Sequence, residues 1–347
     1  MARRAQPLPS SLGTEFSLAQ ARLHGIGESR LLGADLERPF RGARMLVLAP
    51  LHDRGGNQDE SPIAREAGEL RALIARRARA WSAVARGGWF LSHVTAAVIW
   101  GLPVPLRLLR LVIAGDPSAG AAPRGLDVAV LGSRRAPRGQ GMRGHQLSPE
   151  LTSVRERDGC PLASPASVWA QLAPLLQVDE LIELGDAIVH IPRRRGMERG
   201  SPSDALGTIE QLRDAAFAGR REGVARLRAA LPSVRVGSAS PGETRVRLAA
   251  VRAGLPEPDL DIDVFALDGS AIGYTELGYR ARRLLFEYEG DHHRVDRRQW
   301  NRDIDKHAAC EAAGWSVARL TSAHVYPDPA PAVARMRAAL VRTGWRP

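Results

Sequence analysis

The segment Leu284–His293 reads Leu-Leu-Phe-Glu-Tyr-Glu-Gly-Asp-His-His: an apolar strand that turns, within a few residues, into carboxylates, a glycine and two imidazoles. Side chains on a strand alternate between faces. Leu284, Phe286 and Tyr288 therefore point one way, and Leu285, Glu287 and Glu289 the other. Two carboxylates sharing a face at the end of an apolar strand repel each other unless water or a cation offsets the charge. Glu276 lies shortly upstream. Three acids together with His292 and His293 are what a divalent-metal site for phosphodiester cleavage needs. A hard cation such as Mg²⁺ (or Mn²⁺) prefers carboxylate oxygens, and a neutral imidazole beside it could take a proton from water. The same residues also fit a solvated strand end with its acids facing water.

The elements around this segment follow from the pattern. Ser240-Pro241-Gly242-Glu243 has Ser at the N-cap, Pro at the first helical position and Glu two residues later, a capping box that opens a helix to about Arg252. Leu260–Leu267, an Asp268-Gly269 turn and Ala271–Leu277 read as a hairpin. The strand Leu284–Glu289 follows, then a polar, basic helix from about Arg297 to Ala313, a strand Trp315–Leu320 and a closing helix Ala332–Val341. The order is helix, three strands, helix, strand, helix, a compact α/β core.

Glu243–Leu340 resembles the very-short-patch-repair-like endonuclease domain of the PD-(D/E)xK superfamily, in a bacterial branch of unknown function. The resemblance rests on Glu243, Ala253–Pro256, Glu276, Phe286–His293, Trp300, Arg302, Asp303 and Ala313–Arg319. It implies a restriction-endonuclease-like core that hydrolyses phosphodiester bonds in DNA. Glu276 would stand where the first metal-binding aspartate usually sits, and Glu287 would be the second acid. Glu289 falls where the superfamily has its lysine. Glu243 matches the acid on the first helix, and His292 and His293 match a histidine able to activate water or steady the scissile phosphate. Two acids differ in reach from the usual choice: Glu276 replaces Asp, and Glu289 replaces the more frequent Asp. Lys306 is the only lysine of the chain. It lies one turn past Asp303, on the same helix face, where some members of the superfamily supply the missing lysine. Arg294, Arg297, Arg298 and Arg302 would bind DNA beside these groups. The alternative is a non-catalytic DNA-binding regulator with a degenerate nuclease fold.

The chain of 347 residues is long enough for two or three domains. A net charge of +11 favours an anionic partner, nucleic acid first. The two cysteines, Cys160 and Cys310, give neither metal spacing nor a disulfide framework, which suits a reducing cytoplasm. No signal peptide is read at the N-terminus, and no stretch is apolar enough to span a membrane.

Upstream, Ser17 caps a helix Leu18–His24, glycines break it, and a second helix is expected over Glu28–Leu36. A basic strand through Met45–Leu48 would form a wing. Helices are expected from Ser61 to Arg86, over Val94–Trp100, from Ser164 to Leu176, over Val178–Val189 and over Thr208–Leu231. Strands are expected at Leu108–Ala114 and Leu126–Leu131. Pro192–Ser203, with Arg193-Arg194-Arg195, reads as an exposed loop. The segments Phe16–Arg44, Phe90–Ala97 and Trp100–Pro103 are similar to AbiEi-type antitoxins of type IV toxin–antitoxin systems, which join a winged helix to an α/β domain. That similarity implies DNA and a toxin or defence-system protein as partners. Glu28–Leu36, with Arg30, would enter the major groove, and Arg38, Arg41 and Arg44 would touch phosphates. The expected division is a winged helix-turn-helix at 1–50, an α/β domain at 51–200, a helical linker at 201–237 and the endonuclease-like core at 238–347.

Overall fold

The computed structural model describes residues 6–47, 61–113, 125–194, 198–289 and 297–346, without the side chains of Glu289 and of residues 297–304. The chain is an α/β protein of two compact units. Among the described residues, the first unit takes those before 48 together with 62–175 and 215–223, and the second takes Ser61, 176–214 and those from 224 onward. The segments expected as 1–50 and 51–200 thus share one unit as far as Leu175. The segment expected as a linker, 201–237, is divided between the two units. No helix among the described residues is long and apolar enough to cross a membrane.

The first unit opens with β1 (Glu15–Ser17), α1 (Leu18–Leu23), β2 (Leu36–Glu37) and β3 (Ala43–Leu46), the strands ordered β1-β3-β2. The Ser17 hydroxyl accepts from the Gln20 amide at 3.1 Å, and the Gln20 side chain accepts from Ser17 N at 2.7 Å, so α1 is closed at its N-terminus. The helix expected over Glu28–Leu36 does not form. A single 3₁₀ turn, Arg30–Leu32, takes its place. Gly33 interrupts the segment, and the Arg30 guanidinium folds back onto the Asp35 carboxylate through two bonds of 2.9 and 2.6 Å.

The unit continues with α2 (Pro62–Ser82), β4 (Phe90–Leu91), α3 (His93–Trp100) and α4 (Leu106–Ile113). The segment expected as the strand Leu108–Ala114 is helical as far as Ile113, and Ala114 lies outside the described residues. Leu108, Leu109 and Val112 are buried at helical spacing, with the exposed Arg107 and Arg110 turned away. Then come β5 (Leu126–Leu131), β6 (Met142–Leu147), β7 (Val154–Arg157), β8 (Cys160–Ala163) and α5 (Pro165–Leu172). The five strands form one mixed sheet in the order β6-β5-β4-β8-β7. Cys160 and Cys310 are both free and buried.

Next in the chain are α6 (Val178–Val189), α7 (Ile209–Phe217) and α8 (Val224–Ala230). The single helix expected over Thr208–Leu231 is therefore two, parted where Gly219 and Gly223 fall; Gly223 has φ +78°. The second unit is completed by α9 (Pro241–Arg252), β9 (Asp259–Phe265), β10 (Ala271–Tyr279), β11 (Leu284–Glu289), α10 (Arg297–Ala312), β12 (Ser316–Thr321), α11 (Ser322–Val325) and α12 (Ala330–Arg342). Its sheet runs β12-β11-β10-β9, with β9, β10 and β11 antiparallel and β12 parallel to β11. The parallel pair requires a crossover, which α10 supplies. One face of the sheet sends Leu277, Leu284, Phe286 and Leu320 into a core with Val246 of α9 and Met336 and Leu340 of α12. The other sends Ile262, Val264 and Leu285 against Cys310 of α10 and Trp315.

A buried polar knot ties α9 to α6. Arg247 and Asp186 have side chains 2% and 1% exposed and lie 2.7 Å apart. Asp186 also accepts from the Thr244 hydroxyl at 2.8 Å and from Arg235 N at 2.7 Å. Arg247 reaches the Ser233 carbonyl at 2.9 Å and Glu257 at 3.3 Å. This fixes α9, and with it the Glu243 end of the helix.

Candidate active site

The register of the second sheet assembles the acids expected from sequence. Leu277 stands opposite Phe286 and Gly278 opposite Leu285, which sets Glu276 of β10 against Glu287 of β11. On the other side of β10, Leu277 faces Leu260 and Thr275 faces Ile262, which sets Asp261 of β9 beside Glu276. In the parallel pair, Glu287 stands opposite Arg319. A row of charged positions, Asp261, Glu276, Glu287 and Arg319, thus crosses the sheet. Thr275 stiffens the junction by donating its hydroxyl to the Phe286 carbonyl at 3.1 Å.

Lys306 completes this group. Its ammonium lies 2.9 Å from Glu287 Oε1, with both side chains partly buried, and 6.0 Å from the centre of the Tyr274 ring. The aliphatic stem passes over Gly273, where an added Cβ would come within 3.1 Å of Lys306 Cε. A side chain at that position would push the stem away.

Glu243 is held just inside α9, with 2% of the residue exposed. Its carboxylate accepts from Ala239 N at 2.8 Å and from the Ser240 hydroxyl at 2.6 Å, while Ser240 Oγ accepts from Glu243 N at 3.3 Å. Glu243 therefore caps the helix and also sits close enough to Glu276 to feel its charge. Burial, and after it the Glu276 carboxylate, push Glu243 above the ordinary carboxylate range. Burial raises Glu276 too. Lys306 pulls it back, whereas Glu287 and Asp261 add to the rise. Next to α9's first turn, Gly242 leaves space for the Tyr288 ring, whose Cζ would lie 2.5 Å from an added Cβ.

Asp261 is neutralised from the other side. Arg193 spans Asp261 and Asp263, and Arg199 lies 3.4 and 3.2 Å from the same two carboxylates. The Arg193 side chain is 6% exposed and its guanidinium stacks 4.3 Å from the Tyr274 ring centre. Arg193 was expected in an exposed loop; it is instead inserted against β9, because two aspartates need a forked partner. Asp261 has φ +48°, outside the usual strand region. Leu260 packs on one face of the sheet and Ile262 on the other, so the regular alternation of β9 breaks at this residue.

The sheet and α10 thus bring together Glu243, Glu276, Glu287 and Lys306. His292, His293 and Arg294 lie outside the described residues, as do the side chains of Glu289, Arg297, Arg298, Arg302 and Asp303. Of the basic residues expected to touch DNA in the first unit, Arg38 and Arg41 are exposed. The other two are engaged within the protein. Arg30 is clamped to Asp35. Arg44 is buried and donates to the Leu31 carbonyl at 2.9 Å and the Ala43 carbonyl at 2.8 Å, which excludes it from a phosphate contact.

A second cluster was not anticipated from the sequence. His93 opens α3, with Ser92 alone between it and β4, Asp127 is on β5 and His145 on β6; β4, β5 and β6 are neighbours in the sheet of the first unit. His145 Nε2 lies 2.8 Å from Asp127 Oδ1, and the rings of His93 and His145 stack at 4.0 Å. Burial pushes His93 down to about 4, with the Asp127 charge opposing the fall. The signal in the sequence was Asp127 itself: an acid inside the apolar run Leu126–Leu131 must find a partner.

Compared with known proteins, the chain matches no family model, no curated protein and no solved structure.

Proposed function

We propose that the second unit is a metal-dependent DNA endonuclease or nickase, with Glu276 and Glu287 as carboxylate ligands and Lys306 in the place of the superfamily lysine. The observation that carries the reading is that Glu276 and Glu287 take the positions next to the Leu277–Phe286 pair of β10 and β11, with the chain's single lysine 2.9 Å from Glu287 and close enough to Glu276 to act on its charge. The donor set suits a hard cation. Two adjacent carboxylates share one ammonium, and both burial and Glu287 work against the charge on Glu276. Mg²⁺ or Mn²⁺ bound there would polarise the phosphoryl oxygen and lower the pKa of a coordinated water.

The protein's own groups would do the rest. Lys306, a compact cation on a flexible stem, is placed to hold a phosphate oxygen or to stabilise charge building on it. Glu243 keeps the start of α9 in place through Ser240 and Ala239, and burial beside Glu276 favours its protonated form. Arg193 and Arg199 hold Asp261, which keeps β9 in register with the acid-bearing strand.

The test is nicking of supercoiled plasmid in Mg²⁺ or Mn²⁺ by the wild type and by Glu287→Ala, Glu276→Gln and Lys306→Met. Metal-dependent nicking that falls by roughly a hundredfold or more in the acid variants is the expected result. Equal background from all four proteins rejects catalysis at this site. One feature favours a second reading, a DNA-binding regulator with an idle nuclease fold: both oxygens of Glu243 are taken up by the helix cap. In that case the variants bind DNA as the wild type does, with a steep salt dependence and no cleavage.

A further inference from the structure

We propose that His93, Asp127 and His145 form a separate site for a transition-metal ion of the Zn²⁺ class in the first unit. One ligand atom from each of the three residues can be chosen so that all lie within 4.8 Å of one another. A tetrahedral ion with bonds of about 2.0–2.2 Å holds its ligands roughly 3.5 Å apart. Closing the cluster around an ion therefore takes small side-chain rotations and no change in the strands. Two imidazoles and one carboxylate are a borderline donor set. It suits Zn²⁺ and its neighbours over Mg²⁺, which prefers oxygen alone. Three protein ligands leave a coordination position for water or a small anion.

The surroundings orient each ligand. The Ser92 hydroxyl sits 3.0 Å from His93 Nδ1, which leaves Nε2 for the ion. His93 N donates to the Gln171 side chain at 3.0 Å. Ser92 N donates to the Asp127 carbonyl at 3.0 Å, so the backbones carrying two of the ligands are joined directly. Asp127 N is paired with Thr95 Oγ1 at 2.8 Å. His93 also has φ +46°, a conformation that is strained in a residue with a side chain and persists only where its surroundings impose it. It aims the ring at His145, where the two imidazoles stack with an interplanar angle of 24°.

A bond between His145 and Asp127 would by itself satisfy the buried carboxylate. It gives no reason for a second imidazole held in a strained backbone against the first, whereas a shared cation does. Asp127 is buried while both histidines are partly exposed, so an ion can reach the cluster from solvent.

The test is titration of the metal-stripped, full-length protein with Zn²⁺ by calorimetry and with Co²⁺ by visible absorption. The wild type should bind one Zn²⁺ at this site and give the ligand-field bands of nitrogen-ligated Co²⁺. His93→Asn and His145→Asn should each weaken Zn²⁺ binding by roughly tenfold or more and remove the bands. The double variant Glu276→Gln/Glu287→Gln should keep both, which separates this site from the acids of the second unit. Absence of Zn²⁺ binding by the folded chain overturns the proposal. So does binding that survives both histidine substitutions, or that is lost only in the acid variant. Should either histidine variant fail to fold, diethyl pyrocarbonate labelling of the wild type decides. Zn²⁺ must then protect His93 and His145, and unchanged labelling of the two residues overturns the assignment.

Discussion

Replacing Arg247 with methionine tests what anchors the helix that carries Glu243. The substitution keeps most of the volume and the helix propensity but removes the only charged partner within bonding reach of Asp186 among the described residues. Asp186 would keep the Thr244 hydroxyl and Arg235 N, at 2.8 and 2.7 Å. These are two neutral donors for a carboxylate whose side chain is 1% exposed. Leaving a buried charge without its counterion costs about 3–5 kcal/mol. Adding Asp186→Asn removes the stranded charge, keeps an oxygen for Arg235 N and turns an amide N–H toward the Thr244 hydroxyl, which can accept it. The double variant should therefore recover about 1–2 kcal/mol of that loss. The pH dependence gives the sign. Burial already holds Asp186 above its usual 3.8, and Arg247 is foremost among the groups pulling it back. Without Arg247 the folded-state value rises further, so the native state binds more protons than the unfolded chain from about pH 4 upward. Stability of the variant must then fall as pH rises through that window. Urea denaturation of wild type, single and double variants at pH 5 and pH 8 reads all three effects. A single-variant loss below about 1 kcal/mol, or one equal at both pH values and unrelieved by Asp186→Asn, would refute the reasoning.

Three further outcomes are expected. Burial raises Glu183 to about 7 although Arg245 lies 3.2 Å away, so stability should decline from about pH 4.5 to 7, and Glu183→Gln should flatten that decline in thermal melts. Gly242→Ala would bring a methyl within 2.5 Å of Tyr288 Cζ and should destabilise the second unit by about 1–3 kcal/mol; an unchanged melting temperature would contradict the packing. In a DNA-binding assay across salt concentrations, Arg38→Ala and Arg41→Ala should each lower the salt slope by about one, whereas Arg30→Ala and Arg44→Ala should act on stability, because their guanidinium groups are engaged inside the protein.

The second unit was largely legible from its sequence, because its signals are local. The apolar alternation of Leu284–Glu289, the Asp268-Gly269 turn and the Ser240–Glu243 cap each fix a strand, a hairpin or a helix start within a few residues. From α9 onward the observed elements follow the expected order, with the short α11 added before the closing helix. Lys306 is legible as the lone lysine on the Asp303 face of its helix, but its pairing with Glu287 is not, because that depends on how the crossover helix lies against the sheet. The misreadings have two causes, long-range partners that no local pattern encodes and local signals that compete with one another. Arg193 looked like a loop residue until Asp261 and Asp263 came beside it. Leu108–Ile113 is apolar enough for a strand, but its helical spacing decided which side chains could be buried. Glu28–Leu36 contains good helix formers, yet the Arg30 fork onto Asp35 closed the turn early. The His93–Asp127–His145 cluster draws on the start of α3 and on two strands, which meet only in the folded unit.

The scarcity of lysine has a practical consequence. Lys306 carries the only ε-amine in the chain and sits against Glu287, with 27% of its side chain exposed. An amine-directed label, a fluorophore or an isotopic methyl group, would thus mark the candidate active site without any engineered residue, with the α-amine as the other labelled position. Its emission or chemical shift becomes a direct reporter of what arrives beside the two acids.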